Sequence, residues 1–413
     1  MCTAMYANDR LACSALLALL VAACGGQPPA PRTPPPARPV STTTAAPTPP
    51  PEPPAPEEAG PSPEQQRAAQ EVARLESVSS GKKKDPEVLL ALGTARARAG
   101  DLRGASLEYR RAMRYAPRDF RAPYNLGLVL MRMEEVRHAE GLAMLERAVK
   151  LAPKNVEVLI DLGVAQRQAG RTPASRATLQ RATRIAPGSF RAQLNLGLTL
   201  EKLDRTRAAI EAYRRAAAAK PDDPRPHLRL GVLLGRAKKP KEAAEAFRRA
   251  VAADGSNVDA RANLGTVLLQ LGEHAEAARH LEIAARSQPN DGPLQMNLGL
   301  ALQQSGQHAK SVEAYRRAAR ALPGSAEARL RLGLALARTG DARGAERNVT
   351  EALRADAKLR PAVDGLIQEL GKGEQLGEAL ALTRAILAVF PNDKTARHNQ
   401  LALESMIKRK ASE

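Results

Sequence analysis

The 413-residue sequence predicts an all-α protein, an α-solenoid of nine helix-turn-helix repeats with a capping helix at each end. Three observations support this fold class. A Leu-Gly pair recurs at a nearly constant interval of 34 residues. Aromatic residues make up only 2% of the chain and Trp is absent, whereas β-sandwiches and barrels favour aromatic and β-branched residues. A small polar residue of the kind that caps helices precedes most of the expected repeats.

Residues 1–23 are typical of a signal peptide. The stretch from Leu11 to Ala23 has no charged residue, and its length suits the apolar core of an export signal better than a membrane-spanning helix. The sequence Val-Ala-Ala directly before Cys24 resembles the bacterial lipobox. This resemblance implies that Cys24 carries a lipid such as palmitate, and the glycine after it favours the outer membrane. The alternative is an unprocessed apolar N-terminus on a cytoplasmic protein, because only one cation, Arg10, precedes the apolar stretch.

Residues 24–63 are predicted to be the lipidated cysteine and a Pro-rich tether. Sixteen positions of 27–63 are Pro, which lacks an amide donor and fixes φ, so this segment joins neither a helix interior nor a sheet interior. In polyproline II form it would span roughly 115 Å, at about 3.1 Å per residue. A ligand for an SH3-type domain is the alternative. Residues 64–84 are expected to form an N-terminal capping helix and a Lys-rich turn.

Residues 85–393 carry the repeat pattern. Successive Leu-Gly pairs are 34 residues apart in six of seven steps and 36 in the other, and they fall at Leu92-Gly93, Leu126-Gly127, Leu162-Gly163, Leu196-Gly197, Leu230-Gly231, Leu264-Gly265, Leu298-Gly299 and Leu332-Gly333. In most repeats an Ala, then a bulky apolar residue, another Ala and a closing Pro follow at fixed offsets. Gly and Ala let two helices approach closely, and Pro ends the second helix.

The two ends of the array depart from this pattern. The ninth repeat is degenerate, with Ile367 in place of the glycine. Residues 394–413 are predicted to form a polar C-terminal capping helix, in which Leu401, Met406 and Ile407 cover the last repeat. Such caps are required because each repeat contacts only its neighbours.

The repeated positions resemble the tetratricopeptide repeat (TPR) family over about three quarters of the chain. The resemblance implies a right-handed solenoid in which the first helix of each repeat, helix A, lines a concave groove. The residue before each Leu-Gly pair would point into this groove, and polar residues follow it along helix A. We therefore expect a peptide-binding groove that includes Asn125, Asn195, Arg229, Asn263, Asn297, Lys202 and Arg236. Asn side chains offer both a donor and an acceptor to an extended peptide backbone.

A local cluster resembles part of the carboxylate clamp of chaperone-binding TPR proteins. Asn195, Arg225 and Arg229 occupy three matching positions. The remaining two clamp positions fall at Ile160 and Val164, which are apolar. We therefore expect an acidic or extended peptide here rather than a C-terminal carboxylate.

The sequence offers no catalytic set. Its six His residues lack metal-ligand spacing, no phosphate-cradling glycine loop occurs, and all three Cys lie in the first 24 residues. We therefore expect no enzyme activity, no cofactor and no metal. Arginine pairs recur on the second helix, helix B, at Arg110-Arg111, Arg214-Arg215, Arg248-Arg249 and Arg316-Arg317. They predict a solvated basic face or, given the net charge of +19, a surface for an acidic polymer.

These features predict an outer-membrane-anchored scaffold whose solenoid lies in the periplasm and binds an envelope protein. The architecture resembles the TPR lipoproteins of gliding motility and of type IV pilus secretin assembly. Two alternatives stay open: a tether for acidic envelope polymers, and an accessory subunit of a cell-wall enzyme. Nucleic acid is not an expected partner of an exported chain. The sequence leaves the partner, the process and the oligomeric state open.

Overall fold

The computed structural model describes residues 62–82, 84–133 and 137–412. These residues form twenty α-helices and one short 3-10 helix, Ala357–Leu359, and contain no β-strand. The helices are α1 Pro63–Gly81, α2 Pro86–Ala99, α3 Leu102–Tyr115, α4 Arg121–Leu130, α5 His138–Leu151, α6 Val156–Gln168, α7 Thr172–Ile185, α8 Phe190–Lys202, α9 Thr206–Ala219, α10 Pro224–Arg236, α11 Pro240–Ala253, α12 Val258–Leu271, α13 His274–Ser287, α14 Gly292–Gln304, α15 His308–Ala321, α16 Ala326–Arg338, α17 Ala342–Ala355, α18 Arg360–Lys372, α19 Leu376–Val389 and α20 Lys394–Ser412. The proposed signal peptide, Cys24 and nearly all of the Pro-rich tether lie outside the described residues.

The helices form the expected α-solenoid of helix-turn-helix repeats. Helices α2 to α19 make nine consecutive pairs, in which the even-numbered helix is helix A and the odd-numbered one is helix B. Helix α1 packs on α2 before the first pair, and α20 packs on α19 after the last. The chain divides into two compact units, one ending at Ala219 and containing α1 to α9, the other beginning at Lys220 and containing α10 to α20.

Side-chain caps begin most A helices, as the sequence predicts. The side chains that accept the first backbone N–H groups are those of Asp85, Asn155, Ser189, Asp223, Asn257, Asp291 and Ser325. Repeats 2 and 9 are the exceptions: Leu359 precedes α18 without a side-chain bond, and Phe120 does so at the N-cap of α4 in repeat 2. There the Asp119 carboxylate accepts the backbone N–H and the guanidinium of Arg121 instead.

The glycine of each Leu-Gly pair lies against the bulky residue of the following helix B. A Cβ placed on Gly197 would come within 2.5 Å of the Tyr213 ring, and one on Gly231 within 2.5 Å of the Phe247 ring. The rings themselves are almost completely buried. This contact explains why the sequence pairs a glycine on helix A with a large apolar residue on helix B in most repeats.

The turn from helix A to helix B needs a left-handed backbone residue. Glycine takes this position in repeats 1, 3, 6, 7 and 8, for example Gly272 with a φ of 79°. In repeats 4, 5 and 9 the same position is held by Asp204, Lys238 and Glu374, whose φ angles are 56°, 57° and 61°. A side chain in this conformation costs about 1–2 kcal/mol, so these three turns hold local strain.

The C-terminal capping helix uses a different face from the one expected. Leu401 is 68% exposed and Met406 is 48% exposed, so the prediction that they cover repeat 9 is wrong. Ala396 and Leu403 are buried instead, and Ile407 packs partly against the same core. Because these three residues recur at helical spacing, they fix the buried face, and Leu401 lies on the other side of the helix.

Candidate functional site

A cleft of about 1010 Å³ lies on the A-helix face of the first compact unit. It is bounded by α1 on one side and by the A helices of repeats 1, 2 and 3, which are α2, α4 and α6. Its apolar lining includes Leu75, Leu90 and Val158. Its polar lining consists of Glu64, Arg67, Glu71, Glu87, Thr94, Arg98, Arg121, Tyr124, Asn125, Asn155 and Glu157. An apolar floor with polar walls suits a chain segment of mixed character.

Helix α1 is held firmly as a wall of this cleft. Ser62 and Gln65 form a reciprocal capping box that begins the helix. Leu75 is buried against α2. The Glu76 carboxylate accepts a hydrogen bond of 2.7 Å from the Arg96 guanidinium of α2. The N-terminal cap therefore also shapes the candidate site.

A row of charged residues lies at the start of the A helices of repeats 1 to 4, at the first residue of α4 and the second of α2, α6 and α8, and its first three members line the cleft. The row consists of Glu87, Arg121, Glu157 and Arg191. The Arg121 guanidinium donates to the Glu87 carboxylate, with one contact of 3.1 Å, and Arg191 pairs with Glu157. The row thus ties repeat 1 to repeat 2 and repeat 3 to repeat 4.

Tyr124 and Asp161 complete the connection between repeats 2 and 3. The phenol of Tyr124 donates to the Asp161 carboxylate at 2.5 Å, and Arg191 donates to the other oxygen of the same carboxylate at 2.7 Å. Burial raises the pKa of Asp161, and the bond from Tyr124 opposes that rise. Sequence reasoning did not single out Tyr124, Arg121 or Arg191. The alternation of Glu and Arg at one repeat position was the signal that identifies the two arginines.

The predicted asparagines lie on the A helices with part of their hydrogen-bonding capacity in use. The side-chain N–H of Asn195 donates to the Arg191 carbonyl at 2.8 Å, and that of Asn263 donates to the Asp259 carbonyl at 2.8 Å. The amide of Asn297 donates to the Thr266 hydroxyl at 3.1 Å. Only the second N–H and the remaining oxygen capacity of these groups can serve a bound backbone.

Among the predicted site residues, the structure places Asn125 in the cleft. Asn195 and Lys202 lie on α8 in the first compact unit, while Arg225, Arg229 and Arg236 lie on α10 in the second. Lys202 and Arg236 are exposed in the last turns of their helices.

The guanidinium of Arg225 is already bound to its own helix cap. It donates to both carboxylate oxygens of Asp223, at 2.8 and 2.7 Å, and these bonds hold the pKa of Asp223 below its usual range. A ligand that binds Arg225 would have to share it with Asp223.

Most arginines of the B-helix pairs bind carboxylates. Arg110 donates to Glu140, and Arg248 donates to Glu273 at 2.7 Å and to Glu276 at 3.2 Å. Glu108 likewise pairs with Arg111, Glu211 with Arg214, Glu245 with Arg249 and Glu313 with Arg316. These pairs weaken the expectation that the arginine pairs form a surface for acidic polymers.

Neither a metal cluster nor a membrane-spanning helix is found in the described part of the chain. No three His, Cys, Asp or Glu side chains there are grouped so that they would hold a metal ion. No helix within residues 62–412 combines the length and the apolar character needed to cross a bilayer.

Comparison with known proteins identifies the repeat. A sequence model of the tetratricopeptide repeat matches residues 90–136, 175–224, 228–292 and 296–360, and a second model of this repeat matches residues 132–197. No curated protein matches the chain.

Three solved structures are similar to part of this chain. MamA from Desulfovibrio magneticus RS-1 is 21% identical, with a TM-score of 0.38 over 41% of this chain and 96% of that one. YrrB, described as a TPR protein with an unusual peptide-binding site, is 18% identical, with a TM-score of 0.41 over 43% of this chain and 92% of its own. Pseudomonas aeruginosa pilF is 24% identical, with a TM-score of 0.39 over 49% of this chain and 92% of its own.

Proposed function

Because the chain belongs to the tetratricopeptide repeat family, we propose that it is a non-enzymatic scaffold that binds an extended segment of a partner protein on its A-helix face. The observation that carries this proposal is the cleft between α1 and the A helices of repeats 1 to 3. Packed helices lie about 8–10 Å apart, so a segment that crosses from α1 to α6 spans roughly 25–30 Å. That distance corresponds to about eight or nine extended residues.

The lining of the cleft indicates the chemistry of the segment. Apolar side chains of the partner would pack on Leu90 and Val158. Arg67 and Arg98 line the same cleft and have no ion pair among the described residues, whereas Arg121 is paired with Glu87 and Asp119. An acidic residue of the partner therefore finds its best electrostatic partners at Arg67 and Arg98.

We further propose that the scaffold is an outer-membrane lipoprotein anchored through Cys24, with its solenoid in the periplasm and an envelope protein as partner. The lipobox-like sequence before Cys24 and the Pro-rich tether after it support this localisation. Assembly of a gliding-motility or type IV pilus machine is the process that this architecture favours. Labelled palmitate should enter the wild-type protein and not the Cys24→Ala variant, and equal labelling of both would overturn the anchor.

Site-specific crosslinking in cells tests the cleft. A photo-crosslinking residue at Ala91, which lines the cleft, should capture a defined segment of one envelope protein. The same residue at Ala177, an exposed position on the B helix α7, is the matched control. Capture of the same segment from both positions, or from Ala177 alone, would contradict the cleft assignment.

Charge reversal provides the second arm of this experiment. The variant Arg67→Glu/Arg98→Glu should lose the partner, because it removes two cations that have no ion pair among the described residues and it repels an acidic segment. The variant Arg286→Glu/Arg320→Glu makes the same change of charge at exposed B-helix positions and should keep it. The variant Arg225→Glu/Arg229→Glu tests the cluster predicted from the sequence. Loss of partner binding in that variant alone would show that the binding site is on α10 and not in the cleft.

A further inference from the structure

The ends of three successive B helices carry a repeated basic and apolar sequence. Helices α3, α5 and α7 each have 14 residues, with a cation at the thirteenth position and a large apolar residue at the last. The cations are Arg114, Lys150 and Arg184, and the apolar residues are Tyr115, Leu151 and Ile185. Each helix is followed by Ala-Pro, and no acidic residue occurs within 114–118, 150–154 or 184–188. We call these three helix ends the basic edge.

The structure brings the three helix ends next to one another. Arg147 of α5 donates to the carbonyl of Pro117, which follows α3, at 3.4 Å. Arg181 of α7 donates to the carbonyl of Pro153, which follows α5. Each repeat therefore sets its helix end beside the previous one, within the first compact unit. The two bridging arginines add positive charge to the edge.

The edge exposes both its apolar and its charged groups. Tyr115 is 45% exposed and Ile185 is 42% exposed, while Leu151 between them is half-buried. Arg114, Lys150 and Arg184 are exposed and, among the described residues, have no ion pair. This state differs from that of Arg110 and Arg111 on α3, which both bind carboxylates. Exposed apolar side chains beside cations that have no ion pair in the described part of the chain are typical of an interaction surface.

The helix dipole alone does not explain the sequence of the basic edge. A cation in the last turn of a helix is favourable because of the helix dipole, and Arg286, Arg320 and Arg354 hold that position in repeats 6 to 8. The last residue of the helix is only Ala or Ser in repeats 4 to 8. The large apolar residue is thus an addition confined to the repeats nearest the N-terminus of the array, apart from the degenerate ninth.

We propose that the basic edge of repeats 1 to 3 docks on an anionic lipid surface. Cations close to a bilayer are attracted by the phosphate groups of anionic lipids, and Tyr, Leu and Ile side chains enter the interfacial layer beside them. The charge complementarity and the single edge on which these groups lie favour a membrane over a protein groove. This surface is separate from the cleft and does not depend on the partner proposed for it.

Vesicle binding of the full chain tests the proposal. The Cys24→Ala background excludes any contribution from a covalent lipid. The protein should co-sediment with vesicles of phosphatidylcholine and phosphatidylglycerol and remain in solution with phosphatidylcholine alone. Arg114→Gln/Lys150→Gln/Arg184→Gln should weaken binding on the order of a hundredfold, since each cation near an anionic bilayer contributes about fivefold. Arg286→Gln/Arg320→Gln/Arg354→Gln, with the same loss of charge, should bind as the parent does; an equal loss in both variants would overturn the proposal.

Insertion of the apolar residues separates a membrane from a soluble polyanion. Because the chain has no Trp, Tyr115→Trp introduces a single reporter at the edge, and Ser287→Trp introduces one at the equivalent position of repeat 6. The fluorescence of Tyr115→Trp should shift to the blue on anionic vesicles, while that of Ser287→Trp should not. Binding without a blue shift, or undiminished binding by Tyr115→Ser/Ile185→Ser, would show an acidic polymer surface or general charge attraction and would overturn lipid docking.

Discussion

Tyr124 and Asp161 stand on the A helices of successive repeats, and the phenol of one donates to the carboxylate of the other at 2.5 Å. This bond crosses the interface between repeats 2 and 3 on the A-helix side, while Arg181 spans the same interface by donating to the carbonyl of Pro153. The bond from Tyr124 holds the carboxylate on which Arg191 of repeat 4 also converges. One polar group thus connects three repeats of the first compact unit.

Replacing Tyr124 with Phe should therefore weaken the repeat 2–repeat 3 interface. Loss of a hydrogen bond to a partly buried carboxylate costs about 1–2 kcal/mol in the free energy of unfolding. Urea denaturation followed by circular dichroism measures this change. Tyr115→Phe removes an exposed phenol from the end of α3 and is the matched control. Equal stability of the Tyr124→Phe variant and the wild type would show that the bond contributes nothing.

The glycine at each Leu-Gly pair provides a test of the helix contact. Gly197→Ala should destabilise the protein by about 1–3 kcal/mol, because the added Cβ would lie 2.5 Å from the Tyr213 ring. Gly188→Ala adds the same methyl group where no atom lies within 4 Å and should change little. The melting temperatures of the two variants, measured under the same conditions, test this difference in stability. A Gly188→Ala variant as unstable as Gly197→Ala would mean that glycine acts through the backbone rather than through packing.

The strained turn of repeat 5 gives the opposite prediction. Lys238→Gly should stabilise the protein by up to about 1 kcal/mol, since glycine adopts a φ of 57° without the steric cost borne by a side chain. The reverse change, Gly272→Lys, should destabilise repeat 6, whose equivalent residue has a φ of 79°. Chemical denaturation of both variants provides the measurement. Destabilisation by Lys238→Gly would indicate that the lysine side chain contributes more than its backbone strain costs.

His280 should make stability depend on pH. Burial lowers the pKa of His280, although Glu276 at 3.7 Å opposes this shift and Arg248, Arg261 and Arg279 add to it. The folded state therefore favours the neutral ring. The contribution of His280 to the free energy of unfolding is complete above the unfolded pKa of about 6.5. It is lost as the pH falls through the lower pKa of the folded state.

Thermal unfolding between about pH 7.5 and pH 5 measures this effect. The wild type should lose stability on acidification, and His280→Gln should lose less over the same interval. His398→Gln, which alters an exposed histidine of α20, should follow the wild-type curve. A parallel pH dependence in all three proteins would assign the loss to other groups.

The recurrence of Leu-Gly, Ala and Pro predicts the fold because the same contact, such as Gly231 on Phe247, is made in most repeats. The capping helix was less predictable. Leu401 and Met406 are the conspicuous apolar residues of α20, but the phase of its buried face is set by Ala396 and Leu403. A helix with few apolar residues does not reveal that phase from its sequence.

The candidate site was predictable only in part. The pattern places Asn125 on the A-helix face, and the structure puts it in the cleft. The contribution of α1 depends on how its side chains pack on repeat 1, including the bond from Arg96 to Glu76. Because α1 lies outside the repeats, its contacts with repeat 1 leave no signal in the repeat pattern. The bond from Arg225 to Asp223, by contrast, has a counterpart between Arg121 and Asp119, so the Asp-x-Arg sequence at the start of helix A was a signal for it.

The alternation of Glu87, Arg121, Glu157 and Arg191 gives the first four repeats a charge pattern with a period of two repeats. Removing repeat 2 alone would bring Glu87 beside Glu157, and like charges would then face each other across the new junction. Removing repeats 2 and 3 together would bring Glu87 beside Arg191 and restore an opposite pair. Shortening or duplication of this part of the array is therefore better tolerated in steps of two repeats than in steps of one.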